Sequence, residues 1–115
     1  LQYWLAGSES NIAHMVHLLV DRYAADAREV HRGRHKVMPP VEYPEVGVYH
    51  PRMQPSLSPR SLDLPRPGAA SKGTVGLLLM RSYLLAKNTN HYDGVIAALD
   101  ARGLKVVPAF ACGLD

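Results

Sequence analysis

Cysteine is almost absent from this chain. Cys112 stands alone, which excludes an internal disulfide framework and fits a reducing compartment. Long hydrophobic runs are missing too. Nothing approaches the ~20 apolar residues that a membrane-spanning helix needs, and no secretory signal is visible. Neither sign of charge dominates: 13 Lys and Arg stand against 10 Asp and Glu, too small a balance to argue for nucleic acid as a partner. The Gly-rich phosphate fingerprint is absent after both complete strands of the sequence, so a dinucleotide site has no support. No internal repeat with a period of about 20–50 residues is present.

What is there is clearest toward the end of the chain. Residues 74–80 form a continuous apolar run of strand length without polar alternation, as in a parallel strand covered on both faces. Residues 81–89 read as a loop. A helix is predicted from near Asn90, which can cap it, with Asp93 three residues on and a buried stripe of Tyr92, Val95, Ile96 and Leu99. Gly103 ends that helix, after Arg102. Residues 104–110 follow as a second strand. Pro108 cannot donate to a ladder, so this strand is expected to stop near Val107 or to lie at an edge. The fold class is therefore α/β: a Rossmann-like strand–helix–strand unit with parallel strands, in an incomplete sheet, preceded by a long Pro-rich connection.

Residues 1–25 read as a strand end followed by an amphipathic helix. The short apolar, partly aromatic run at 1–5 suits the end of a buried strand, and Ser8 is a good N-cap with Glu9 in the first turn. Ile12, Met15, Val16, Leu19, Val20 and Tyr23 recur at helical spacing and are expected to face a core. Asn11, His14, Asp21 and Arg22 lie away from that stripe. Residues 26–72 hold eight of the nine prolines, so no long helix or central strand is expected there. Within them, 44–51 suits an extended packed segment, and 52–72 reads as mobile. Residues 73–115 carry the βαβ unit. A two-stranded sheet is marginal alone, so the chain reads as part of one larger domain.

The polar loop after the first full strand is the leading site candidate, because ligands of open α/β sheets bind beyond the carboxyl ends of the strands. Arg81, Ser82, Tyr83, Lys87, Asn88, Thr89, Asn90 and His91 fall there. Arg81 and Lys87 can pair with carboxylates, and His91 can exchange protons near neutral pH. The plainer reading makes Asn88 and Asn90 caps, Arg81 a structural partner and His91 a surface residue. Other groups carry less. His14 and His17 share a helix face but lack an evident third ligand, so no metal site is assigned. Arg28, Arg32, Arg34 and Lys36 cluster with His31 and His35 around Glu29, as a solvated loop or an anion patch. Gly7-Ser8 lacks the rest of a nucleophile elbow. A Cys112–His91 pair is conceivable, but a lone cysteine is more often packing.

Four blocks in order carry a resemblance. They are Tyr3-Trp-Leu-Ala-Gly-Ser-Glu-Ser-Asn11, then Gly47-Val-Tyr-His-Pro51, then Gly76-Leu-Leu-Leu-Met-Arg-Ser82 through Asn88-Thr-Asn-His-Tyr-Asp93, then Ala101-Arg-Gly-Leu-Lys-Val-Val-Pro-Ala-Phe110 with Gly113-Leu-Asp115. Together they resemble the large (H) subunits of magnesium chelatases, in the CobN/magnesium chelatase family, near the start of the chelatase-homology region. The resemblance implies ATP-dependent insertion of Mg²⁺, as a substrate, into protoporphyrin IX on the way to chlorophyll or bacteriochlorophyll. It implies I- and D-type partner subunits, one an AAA+ ATPase that hydrolyses the ATP, and a location in the cytoplasm, or the plastid stroma in a plant or alga. The isolated segment is expected to be inactive. Under it His91 becomes a candidate proton acceptor, and Arg81, Lys87 and Asn88 candidate substrate-binding residues. The alternatives are the cobaltochelatase large subunit of cobalamin synthesis, which shares the Tyr-His-Pro and Arg-Gly-Leu-x-Val-x-Pro elements, and a non-catalytic α/β segment that docks a partner.

Overall fold

The computed structural model describes residues 1–67 and 70–114. It forms two compact units, Leu1–Glu42 and Tyr43–Asp115.

The first unit is a helical hairpin with a returning segment. Residues Gln2–Ala6 form a short helix, α1, not the expected strand end. Leu5 N–H donates to the Leu1 carbonyl at 2.9 Å, closing the turn. A run of five residues is too short for periodicity to separate strand from helix, and no strand lies beside it in this unit. Helix α2 runs Glu9–Tyr23, and the Ser8 hydroxyl caps it by accepting from Asn11 N–H. The apolar stripe does not meet a core here, since Val16, Leu19 and Tyr23 are exposed. The polar residues set aside from the stripe do the holding. Asn11 is fully buried and grips Val41 at both ends, donating to its carbonyl and accepting from its N–H, each at 2.8 Å. Asp21 accepts from Gly33 N–H, and Tyr3 donates to the Met38 carbonyl. Polar bonds thus lay the segment after a 3₁₀ turn, Asp26–His31, back against the helices.

The second unit is a four-stranded mixed sheet in the order β2-β1-β4-β3. Strand β1 is Val46–Tyr49, β2 Leu57–Ser58, β3 Thr74–Met80 and β4 Lys105–Ala111. Strands β3 and β4 pair in parallel from Thr74↔Lys105 to Met80↔Ala111, as a βαβ unit requires. Helices α3, Arg81–Leu85, and α4, Asn90–Ala101, fill the crossover. The residues read as a loop therefore begin with a helical turn. Thr89, not Asn90, precedes α4, and Gly103 with φ +76° ends the crossover as predicted.

The Pro-rich connection is more ordered than its composition suggests. The segment expected to be extended supplies β1, antiparallel to both β2 and β4, so a central strand does arise inside 26–72. Pro44 and Pro51 lie just outside it. Gly47 is required for close approach: a Cβ there would sit 2.3 Å from the Ser58 carbonyl oxygen. Beyond β1 the chain stays mostly exposed but is anchored at three points, Met53, Ser58 and Leu64. Met53 and Leu64 are buried, Ser58 donates to Asp63, and Arg60 pairs with that carboxylate. Residues 68 and 69 of the stretch read as mobile lie outside the described residues.

Strand β4 runs straight through Pro108, against expectation. Lys105 N–H donates to Gly73 on the β3 side and Cys112 N–H to Glu45 on the β1 side. Strand alternation then points the even-numbered N–H groups of β4 toward β1. The missing Pro108 donor falls where the β1–β4 register ends, at Val48↔Ala109. A proline is tolerated in this central strand because no ladder bond is required of it at that point.

One face of the sheet packs under α4, where Tyr49, Leu79, Leu84, Ile96, Val106 and Phe110 make the main core. Leu79, Ile96 and Phe110 are almost wholly buried, and each such side chain contributes about 1.5–3 kcal/mol of transfer free energy. On the opposite face Val48, Met53 and Leu64 cover Val107. Elsewhere on that face Leu78 and Met80 of β3 are exposed, so among the described residues the strand expected to be covered on both faces is covered on one.

Candidate functional site

The carboxyl end of β3 gathers the residues the sequence singled out. Arg81 opens α3, and its guanidinium reaches back to the segment before β1. Nε donates to the Pro44 carbonyl at 2.9 Å and an Nη to the Tyr43 carbonyl at 3.2 Å. Two of its five N–H groups are thereby committed to the backbone. Lys87 closes the turn after α3 with φ +55°, and its N–H donates to the Leu84 carbonyl. Asn88 is exposed, and its N–H donates to the Tyr83 carbonyl at 2.9 Å. A shallow depression of about 220 Å³ is lined by Ser82, Tyr83, Ala86 and Asn88.

His91 lies exposed in the first turn of α4. Its ring stands edge-on to Tyr83 at 5.4 Å and tilted against Tyr92 at 3.9 Å. Tyr92 in turn accepts from Met80 N–H at 3.2 Å through its hydroxyl. The site is thus an aromatic wall of Tyr83, His91 and Tyr92, with Lys87 and Asn88 on the turn that precedes it.

Beneath this wall runs a network that sequence reasoning did not find. Buried Tyr49 donates from its hydroxyl to Asp93 Oδ1 at 2.6 Å, and Thr89 Oγ1 donates to Oδ2 at 3.1 Å. Burial, and then the hydrogen bond to Asp93, pushes the Tyr49 phenol up to about 12. It stays a neutral donor, and it fixes the first turn of α4 to the centre of the sheet.

A second cluster escapes sequence reasoning as well. His50 is buried, and its Nδ1 accepts from Arg52 N–H at 3.1 Å. That leaves the proton on Nε2, which faces Asp100 Oδ2 at 3.8 Å, too far for a hydrogen bond. Burial, and then the Arg52 charge, lowers the His50 pKa against the opposing pull of Asp100 and Asp93. The ring is neutral at pH 7, and the ion pair here is Arg52–Asp100 at 3.0 Å. The available signal in the sequence is the Tyr-His-Pro block, whose spacing alone gives its histidine no role.

The remaining candidates are dispersed. His17 stacks on His35 at 4.3 Å, not on His14, so the helix-face pair does not form. Parallel stacked rings do not aim two nitrogens at one ion. Among the described residues no group of three or more His, Cys, Asp or Glu side chains could hold a metal ion. Cys112 is exposed, its N–H donates to Glu45, and no thiol–imidazole contact with His91 occurs among the described residues. Among those residues no helix is long and apolar enough to cross a membrane.

A family model described as CobN/Magnesium Chelatase matches residues 1–115. The chain belongs to the CobN/magnesium chelatase family. Two family members, the magnesium-chelatase H subunits of Cereibacter sphaeroides and Rhodobacter capsulatus, are each 53% identical over the whole chain. The chloroplastic magnesium-chelatase protein ChlH of Oryza sativa is 30% identical over 130 aligned residues. The chain spans 9% of the length of these relatives. Among solved structures, the catalytic subunit of cobaltochelatase from Mycobacterium tuberculosis superposes with a TM-score of 0.60 at 24% identity, over 96% of this chain and 8% of that one. That likeness shows a shared fold. The mixed sheet, with its parallel β3–β4 pair and helical crossover, is thus a piece of CobN/magnesium chelatase architecture.

Proposed function

We propose that these residues belong to the porphyrin-handling subunit of a magnesium chelatase, which inserts Mg²⁺ into protoporphyrin IX with hydrolysis of ATP in chlorophyll or bacteriochlorophyll synthesis. The observation that carries this reading is 53% identity to two magnesium-chelatase relatives along the entire chain. The cobaltochelatase reading has a fold-level likeness at 24% behind it. In this proposal the ATP is hydrolysed by a partner AAA+ subunit, the I- and D-type subunits are the partners, and the complex works in the cytoplasm or the plastid stroma.

The chemistry sets what such a protein must do. Mg²⁺ dehydrates reluctantly and prefers oxygen ligands, whereas the porphyrin offers four nitrogens and must release two N–H protons. A proton acceptor and a hold on the propionates are needed beside a planar apolar surface. The end of β3 has matching parts. His91 is exposed within an aromatic wall and is proposed as the proton acceptor. Lys87 and Asn88, on the adjoining turn, are proposed to meet a propionate. Arg81 can join them through the N–H groups not used on Tyr43 and Pro44.

The test uses the full-length protein with its partners and ATP. Fluorescence quenching gives porphyrin affinity, and Mg²⁺ insertion gives rate. A general base contributes about 10²–10⁴-fold, so His91→Ala is expected to cut insertion at least about 100-fold while leaving porphyrin affinity nearly intact. Unchanged rate and affinity would remove His91 from the site. A wild-type protein that ignores protoporphyrin IX but takes a corrin-type tetrapyrrole with cobalt would replace the magnesium reading with the cobalt one.

A further inference from the structure

Strand β3 has the sequence of an interior strand and the position of an edge strand. Among the described residues it pairs with β4 alone. Its seven residues include no charge and no proline, the devices by which natural edge strands repel further pairing. Lys105 N–H bonds to Gly73, so alternation turns the backbone groups of Thr74, Gly76, Leu78 and Met80 to the open side. Of these, Met80 N–H is taken by the Tyr92 hydroxyl. Among the described residues, the N–H and C=O groups of Thr74, Gly76 and Leu78 form an unused ladder. On the face away from α4, Leu78 is 68% exposed, Val46 65% and Met80 39%, around half-buried Val107, Ala109 and Ala111.

From this geometry we propose that β3 is an inner strand of a wider sheet. A further strand of the same polypeptide runs parallel to its free edge, and an apolar helix of that polypeptide covers Leu78, Met80 and Val46. Two observations select this occupant. Purely apolar parallel strands occur where both faces are covered by helices of βαβ crossovers, and a parallel neighbour needs a connection of a dozen or more residues. Relatives of which this chain spans 9% have ample polypeptide to supply both. A second copy of the chain would pair β3 with β3 across a two-fold axis, which makes an antiparallel ladder and a dimer. The proposal holds for either chelatase metal, so it stands or falls separately from the magnesium reading.

Amide hydrogen exchange on the wild-type protein, extended to the length of its relatives, is the first test. The amides of Thr74, Gly76 and Leu78 are expected to be protected as strongly as those of Val75, Leu77 and Leu79, which face β4. Fast exchange at the even positions beside slow exchange at the odd ones would overturn the proposal. So would protection that disappears on dilution from a dimer to a monomer. The second test is Leu78→Cys on a Cys112→Ser background, with maleimide labelling read peptide by peptide. A covered thiol reacts only through local opening, so labelling in the native protein should be at least about 100-fold slower than in denaturant. Labelling within about threefold of the unfolded rate would mean that the face is open in the whole protein, and would refute its burial.

Discussion

Asn11 clamps the returning segment of the first unit to α2. Its carboxamide makes two 2.8 Å bonds to Val41, thirty residues on, and the residue is itself fully buried. Asn11→Ala removes both bonds. Each is worth about 0.5–1.5 kcal/mol net. Val41 is 40% exposed, so water can reach its freed groups and the loss stays toward the lower end, about 1–2 kcal/mol for the pair. With about 1.4 kcal/mol to the decade, the Val41 amide should exchange roughly 5–30-fold faster if the clamp controls local opening. Asn11→Asp isolates the donor from the acceptor because the side-chain shape hardly changes. One oxygen still accepts from Val41 N–H, but the other replaces the donor and faces the Val41 carbonyl. The carboxylate is buried and repelled, so its pKa rises in the folded unit. Its penalty is present at pH 7 and fades as the pH falls through the raised pKa, where a protonated acid can donate to that carbonyl again. Hydrogen exchange at Val41 from about pH 4 to pH 7 reads both effects. Equal protection in wild type, Asn11→Ala and Asn11→Asp would refute the clamp.

Gly94 sits on the exposed side of α4 with nothing within 4 Å of the position a Cβ would take. Gly94→Ala should therefore stabilise the second unit by up to about 1 kcal/mol, seen as a higher urea midpoint; a lower midpoint would show a contact that the structure lacks. The raised Tyr49 pKa has a sign that can be worked out. Between pH 10 and about 12 the unfolded phenol has lost its proton while the folded one keeps it, so the stability linked to Tyr49 is complete below pH 10 and is lost as the pH climbs toward 12. Titration by tyrosinate absorbance should show a late step toward pH 12 that Tyr49→Phe removes; the same curve in wild type and Tyr49→Phe, with the fold intact, would contradict the Tyr49–Asp93 bond.

Local patterns told most about the parts that local patterns determine. The Thr74–Met80 strand was legible to the residue because an uninterrupted apolar run bounded by Gly73 and Arg81 has one simple reading. Helix α2 and its Ser8 cap were legible because apolar residues recur there at helical spacing behind a good N-cap. What failed depended on partners far along the chain. Strand β1 gains its central place by pairing with β4, about sixty residues later. Pro108 passes through a central strand because β1 ends beside it, a fact of register that composition does not carry. The stripe of α2 was correctly periodic, yet the buried residue there is Asn11, chosen by Val41. At the site, sequence placed Arg81, Lys87, Asn88 and His91 in one neighbourhood. It could not show that Arg81 is drawn to Tyr43 and Pro44, nor that His50 and Asp100 meet across fifty residues.

The Tyr-His-Pro block illustrates how a recognisable motif and a reactive site come apart. Tyr49 commits its hydroxyl to Asp93, and its phenol is pushed away from the range in which it could exchange protons at pH 7. His50 commits Nδ1 to the turn that follows it and is held neutral by burial. Both side chains connect β1 to its surroundings: Tyr49 reaches the first turn of α4, and His50 faces Asp100 in its last turn. Chemistry at neutral pH needs a group that can change its charge in contact with the substrate. On these grounds the block acts as a brace that sets the position of α4, and its two side chains are spent on structure rather than on proton transfer.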